Sequence, residues 1–336
     1  MTTIHSQSSA AMCVTEPGPP EVLEWTPQHL EKPLPIDIVV RHEAIGVNFH
    51  DIYVRSGAYR TMPYPGVPGI EASGVVEEVG DAVVGLNVGD RIAYITSLYG
   101  AYATRRILPA ALALPLPGDI SHEIAAAVLL KGLTADMLLT RLRVLEAGAV
   151  VVVHAAAGGV GQILTQMAKS LGIAVIGAVS SLAKAGVVRE LGCDHVVLYG
   201  GNQLLDCVRD VTDGRGADMV FDGVGAATYE TSIDCLRPFG HLALFGQASG
   251  PVPPIELARL AQNSLSVSRP VVFHHVQDPG RYRASAERVF KLVRSGAIKV
   301  APPNRYPLRE AAAAHRLLES GATSGSTILI PGQTAL

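Results

Sequence analysis

The chain contains no CxxC pair, no lysine- or arginine-rich stripe and no apolar run long enough to cross a membrane. Each absence excludes a class of function. Four cysteines in 336 residues, Cys13, Cys193, Cys207 and Cys235, stand far apart. That spacing excludes a disulfide framework and a zinc knuckle, and leaves buried or incidental thiols. A formal net charge of −3 with no basic cluster argues against nucleic acid or an acidic membrane as the principal partner. The opening MTTIHSQSSAA is mostly polar with no apolar stretch behind it, so it reads as a loose tail rather than a signal peptide. A soluble, cytoplasmic protein without a membrane span is expected. No internal repeat or low-complexity tract is visible.

What is present is the composition of a globular protein, 48% hydrophobic and 17% charged, over a length sufficient for two domains with their own cores. Residues 30–115 carry short strand patterns cut by Gly and Pro, at 36–40, 74–79 and 88–93. Past Ile120 the texture changes: Ser121 is placed to cap a helical segment rich in Ala and Leu that runs to Leu145. Strand and helix patterns then alternate. Strands are predicted at 149–153, 174–179, 195–198, 219–221, 242–245 and 264–267. Helical segments near 160–171, 182–191, 202–212 and 227–236 separate the first five. Parallel strands require such crossovers, so the alternation predicts an α/β fold with a doubly wound parallel sheet of Rossmann type. Residues 273–336 return to mixed character and end in a strand at 327–330.

The most informative stretch is 149–161, AVVVVHAAAGGVG. Four valines suit a strand buried on both faces, and after the glycine loop Val160, Ile163, Leu164, Met167 and Leu171 recur at helical spacing. Strand, glycine loop and helix together let backbone N–H groups and a helix N-terminus hold a pyrophosphate. The fingerprint is imperfect, with Ala156 in the first glycine position before Gly158 and Gly161; the flanking strand and helix supply the specificity the glycines lack. An acid at the end of the second strand would accept a ribose 2′-OH and repel a 2′-phosphate. Here the sequence reads Val179-Ser180-Ser181-Leu182-Ala183-Lys184, with no acid. Two hydroxyls and a cation suit a phosphate, so NADPH is expected over NADH; taken alone, Lys184 is equally an exposed helix lysine. Tyr199, after the third strand, either closes over that phosphate or is an edge aromatic. Phe221-Asp222-Gly223-Val224-Gly225 and Phe245-Gly246-Gln247 put small residues at the ends of the fourth and fifth strands, where a doubly wound sheet opens its crevice.

Further motifs are Gly18-Pro19-Pro20-Glu21-Val22-Leu23, Ala44-Ile45-Gly46-Val47-Asn48-Phe49 with Asp51 and Tyr53, Arg55-Ser56-Gly57-Ala58-Tyr59, Lys131-Gly132-Leu133-Thr134 and Ser268-Arg269-Pro270. With the glycine loop they cover nearly the whole chain. Together they resemble the zinc-independent quinone oxidoreductases of the medium-chain dehydrogenase/reductase superfamily, the zeta-crystallin-like branch. The resemblance implies a GroES-like β-rich catalytic domain from residues 1–125 and 273–336, with a Rossmann NADPH-binding domain, 126–272, inserted in it. It implies a homodimer joined along the sheet edge near 264–267. It places Asn48, Tyr53 and Thr134 at the nicotinamide end, Gly158, Gly159, Val160 and Gly161 at the pyrophosphate, and Ser180, Lys184 and Tyr199 at the 2′-phosphate. Phe245, Gly246 and Gln247 would border the cofactor. Three positions depart from the family: Gln247 replaces a more usual Asn, Gly223 a frequent Ser, and Gly321 an Arg found in some relatives.

Zinc-dependent relatives hold a catalytic metal through Cys, His and Cys or Asp. Here Asn48 stands at the Cys position and Ile70 at the His position, and an amide and an alkyl group cannot build that tetrahedral site, so no metal is expected. His274-His275 and His50 lack metal-site spacing and read as surface or core histidines. Without a metal an unactivated ketone is a poor substrate, but a nicotinamide can pass hydride to an acceptor that is already electrophilic. The expected activity is NADPH-dependent reduction of a quinone in an apolar cleft between the domains. Asn48 and Tyr53 are the catalytic candidates, Asn48 orienting the reactants and Tyr53 either donating a hydrogen bond or proton, or packing. Reduction of activated C=C bonds in alkenals or enones needs the same features and is the alternative. A crystallin-like structural or RNA-binding role is the non-enzymatic one, and the intact glycine loop, Lys184 and Asn48 argue against it.

Overall fold

Short β-prone segments broken by Gly and Pro give the first part of the chain its antiparallel strands. The computed structural model describes residues 9–332. They pack as two units, one from the residues up to Leu130 and those from Ala301 onward, the other from Lys131 to Val300. Among the described residues no helix is long and apolar enough to cross a membrane.

Ser9, Ala10 and Ala11 do not belong to a loose tail: they begin β1 (Ser9–Val14), which pairs antiparallel with β2 (Leu23–Gln28). The remainder of that tail, residues 1–8, lies outside the described residues. Strand β3 (Asp37–Val47) is the longest of the unit and leads directly into helix α1 (Phe49–Arg55). Strands β4 (Glu71–Val79), β5 (Arg91–Ile95), β6 (Arg105–Pro109) and β7 (Leu114–Pro115) follow. One edge of β3 pairs antiparallel with β4, and β6 pairs with residues 37–41 on the other. Ile38, Val40, Ile45, Val47, Tyr94 and Tyr102 fill the core beneath.

Helix α2 (His122–Thr140) starts where its cap is expected, with Ser121 Oγ accepting the Ile124 N–H at 3.1 Å. It is buried all round from residue 125 to 139, as its nearly continuous Ala and Leu content requires. The boundary between the units falls within this helix.

The second unit follows the predicted alternation. It comprises β8 (Val150–Val153), α3 (Gly159–Ser170), β9 (Ala174–Val179), α4 (Leu182–Glu190), β10 (His195–Leu198), α5 (Gln203–Val211), β11 (Ala217–Asp222), α6 (Tyr229–Asp234), β12 (Leu236–Leu244), α7 (Leu257–Ala261) and β13 (Ser266–Ser268). The strands form one parallel sheet in the order β10-β9-β8-β11-β12-β13. Val151, Val152 and Val153 are fully buried at its centre, each stabilising the sheet by roughly 1.5–3 kcal/mol. Strand order reverses between β8 and β11, and that reversal is where such sheets bind ligands. Helices α8 (Val272–His275) and α9 (Pro279–Arg294) also pack here: Ser285 and Arg288 on α9 both donate to Asp136 on α2, at 2.7 Å. The packing boundary therefore lies at Val300, whereas composition changes near 273, because composition does not record which helix faces which. Beyond it, β14 (Asn304–Pro307), α10 (Ala311–Glu319) and β15 (Thr327–Ile330) return to the first unit, where β15 pairs antiparallel with residues 45–47 of β3.

Candidate functional site

The turn after β8 is built on its own backbone. Ala155 adopts a left-handed conformation (φ +48), its carbonyl accepts the Gly158 N–H at 2.8 Å, and its N–H donates to Tyr199 Oη at 2.8 Å. A Cβ on Gly161 would lie 2.5 Å from the Ala155 oxygen and 2.7 Å from Ala156 Cα, so only glycine allows this approach. Helix α3 begins without a side-chain cap, and its first internal bond runs from the Gln162 N–H to the Gly158 carbonyl. The amides of Gly159, Val160 and Gly161 thus precede the helical ladder, a geometry suited to an anion.

The corner after β9 brings together the residues predicted for a second phosphate. Ser181 Oγ caps α4 by accepting the Lys184 N–H at 3.3 Å. One helical turn carries the lysine back over the strand end, where Nζ donates to Ser180 Oγ at 3.2 Å. Partial burial lowers the ammonium's pKa. Leu198 of β10 is in register with Val179, and the Tyr199 N–H bonds the Val179 carbonyl at 2.9 Å, so Tyr199 stands beside Ser180. Its side chain turns to the glycine loop rather than lying free at the sheet edge.

The ends of β11 and β12 meet closely. A Cβ on Gly246 would be 2.4 Å from the Gly223 oxygen, and one on Gly223 would be 2.8 Å from Phe245 Cζ, so Phe245, Gly246 and Gly223 form one packed wall. Arg269, just past β13, holds this wall: Nη1 donates to the carbonyls of Leu244 (2.8 Å) and Gly246 (2.7 Å), and Nη2 donates to Gln247 Oε1 at 3.2 Å. Thr134, in the same unit, is buried on α2.

Asn48 and Tyr53 lie in the first unit, on and around α1. Asn48 is the N-cap residue; its N–H donates to Asp51 Oδ2 at 2.8 Å and its Nδ2 to Glu71 Oε2 at 3.0 Å. Glu71 is completely buried, and its other oxygen accepts the Leu130 N–H at 2.7 Å, so the asparagine amide is oriented by a fixed carboxylate. The Tyr53 ring packs against Phe49 (6.0 Å between centroids) and Tyr59 (4.9 Å). His50 is 2.9 Å from Tyr99 Oη, which in turn is 2.6 Å from Thr61 Oγ1; burial pushes the His50 pKa down to about 4, so it is neutral at pH 7. Among the described residues no group of three or more His, Cys, Asp or Glu is arranged to hold a metal ion. His275 is a buried partner of Ser285 at 3.0 Å.

Residues 35–118 match the alcohol dehydrogenase GroES-like domain family, and residues 159–291 match the zinc-binding dehydrogenase family. A quinone oxidoreductase of Pseudomonas aeruginosa is 43% identical over 318 residues, covering 94% of this chain and 97% of that protein. The chain belongs to the medium-chain dehydrogenase/reductase family. A Burkholderia 2-haloacrylate reductase is 37% identical over 328 residues, 96% of this chain and 98% of the relative. The crystal structure of Escherichia coli quinone oxidoreductase complexed with NADPH superposes with a TM-score of 0.93 at 38% identity, covering 96% of this chain and 100% of that one.

For a dehydrogenase of this family, sequence pattern picks out the glycine loop and the Ser180–Lys184 pair because their spacing is local. It misses the role of Arg269, whose partners lie 22 to 25 positions earlier in the chain. It also misses Asp222, whose carboxylate accepts the Val224 and Gly225 N–H groups at the end of β11; a carboxylate closing a fully buried strand was the available signal.

Proposed function

We infer that this protein is an NADPH-dependent quinone oxidoreductase. The single observation that carries the cofactor preference is Lys184 Nζ on Ser180 Oγ at the end of β9, where a site for NAD would hold an acid. The residues present fit that cofactor. The leading amides of α3, at Gly159, Val160 and Gly161, would hold its pyrophosphate beside the turn that Gly158 closes by donating to the Ala155 carbonyl, and Ser180, Lys184 and Tyr199 its 2′-phosphate. Phe245, Gly246, Gln247, Thr134, Asn48 and Tyr53 would serve the nicotinamide end. When bound, NADPH supplies a hydride to an acceptor that is already electrophilic. The Asn48 amide, steered by Glu71, orients the reactants, and Tyr53 donates a hydrogen bond to the oxygen being reduced. The rings of Phe49, Tyr53 and Tyr59 offer apolar faces to a flat acceptor and keep water away.

Purified protein should oxidise NADPH faster with a naphthoquinone or an ortho-quinone than with an alkenal, prefer NADPH to NADH, and keep its rate in the presence of a chelator. Preference for NADH, or activity lost to the chelator and restored by zinc, overturns the reading. The similarity to a 2-haloacrylate reductase favours activated C=C bonds as the second reading, and faster turnover of an alkenal would select it. Tyr53→Phe should cut turnover on the order of a hundredfold if its hydroxyl assists the reduction; unchanged turnover reduces the residue to packing.

The same reading takes the enzyme to be a cytoplasmic homodimer. None of the four cysteines is in a disulfide, which suits a reducing compartment. Strand β13 ends the parallel sheet with only β12 beside it among the described strands, and such an edge can pair with a second copy across a two-fold axis. A monomer by light scattering would exclude this.

A further inference from the structure

A polar chain, buried at Asp222, Ser232 and His154 and reaching the surface at Tyr199, runs beneath the glycine loop. Asp222, fully buried at the end of β11, accepts hydrogen bonds from the N–H groups of Val224 (2.8 Å) and Gly225 (3.0 Å) and from the hydroxyls of Thr228 (2.7 Å) and Ser232 (2.8 Å). Ser232 has one proton and gives it to the carboxylate, so its oxygen accepts from His154 Nε2, 3.0 Å away. The tautomer is thereby settled: Nε2 carries the proton, and burial lowers the imidazole pKa against the opposing pull of Asp222, leaving Nδ1 an acceptor. Nδ1 is 3.2 Å from Tyr199 Oη, whose proton it accepts, and the tyrosine oxygen accepts the Ala155 N–H. Donation therefore runs one way, from Ala155 through Tyr199, His154 and Ser232 to Asp222. The His154 and Tyr199 rings also stack, 5.7 Å apart and 4° from parallel.

Two observations tie this chain to nucleotide binding. The left-handed Ala155 is a conformation disfavoured for an L-residue, and Gly158 and Gly161 both pack on its carbonyl, so the loop's shape depends on it. Tyr199 joins that residue to the Ser180–Lys184 corner, because its backbone is in register beside Ser180.

We propose that His154 is a positioning residue for the nucleotide: by holding Tyr199 it fixes both the Ala155 turn of the pyrophosphate loop and the tyrosine's place at the 2′-phosphate corner. This rests on the NADPH reading. His154 acts through Tyr199, and Ser232 and Asp222 set the tautomer it needs.

Calorimetric titration of the full-length protein with NADPH tests it, using His154→Phe, Tyr199→Phe, the double variant and Ser232→Ala, with circular dichroism confirming the fold. His154→Phe and Tyr199→Phe should each weaken binding about tenfold, and the double variant no more than either alone, because both cut one chain. In turnover, the His154→Phe loss should fall on the KM for NADPH more than on kcat. Ser232→Ala, which leaves the loop and Tyr199 in place, should weaken binding about threefold and serves if His154→Phe does not fold. Additive losses in the double variant, or unchanged affinity in His154→Phe or Ser232→Ala, overturn the proposal while NADPH binding by the unaltered protein stands. An unaltered protein that does not bind NADPH overturns the cofactor reading, and this inference with it.

Discussion

Lys184 is the side chain on which the proposed cofactor preference rests. Its ammonium is half-buried and lies against Ser180 Oγ, so a phosphate arriving there meets a charge-assisted donor in partly desolvated surroundings. Lys184→Ala should therefore weaken NADPH about tenfold and leave NADH nearly unchanged, as read by titration with each nucleotide; equal losses for both would assign the lysine to the helix surface alone. Ser180 and Lys184 are legible in the sequence because a separation of four residues at a strand-to-helix turn is a local fact. Tyr199 is legible as a candidate but not in its contact: the sequence leaves it between phosphate ligand and edge aromatic, and its hydroxyl is found on the Ala155 N–H. Asn48 is similarly half-readable. Its position follows from the motif, while the buried Glu71 that orients it is supplied by the pairing of β3 with β4.

At the level of elements, β8 and β9 follow the pattern closely because each is a contiguous apolar segment, whereas β12 begins at Leu236, ahead of the predicted 242, because Leu236 pairs with Ala217 through a stretch carrying Arg237 and Pro238. The last strand is displaced, β13 occupying Ser266–Ser268 after Ser264 takes a left-handed φ of +51 and delays the strand. The β8–α3 turn carries the sharpest structural demand. Adding a Cβ at Gly161 would press it into the backbone of Ala155 and Ala156, atoms that cannot swing aside. Gly161→Ala should open the loop, weaken NADPH by at least about tenfold and leave the sheet intact, checked by titration alongside circular dichroism. Wild-type affinity in that variant would show that the turn relaxes without disturbing the anion site.

Across the whole molecule, buried neutral histidines set an acid limit on stability. His42 donates through Nδ1 to the Ala103 carbonyl at 2.7 Å and accepts from the Tyr94 hydroxyl at 2.8 Å, and burial lowers its pKa to about 3. His315, beside Tyr102 at 2.9 Å, is likewise lowered to about 3 by burial and then by the Arg55 charge. A histidine lowered in the folded state binds its proton more readily when unfolded, so its stabilising share is complete above the unfolded value of about 6.5 and is lost as pH falls toward the folded one. Each should remove up to about 1.4 kcal/mol per pH unit below pH 6.5. Melting temperature should therefore decline from about pH 6.5 downward, with His315→Gln flattening the slope; a level profile would show that these rings are hydrated. By itself the sequence determined the alternation of strands and helices and marked the glycine loop and the Ser180–Lys184 corner as candidate sites, because each is written within about ten neighbouring residues. Only the tertiary structure decided the reversal of strand order between β8 and β11, the Arg269 clamp, and the line from Ala155 to Asp222. Buried polar groups must find partners wherever the chain brings them, and those partners lie tens of residues away in sequence.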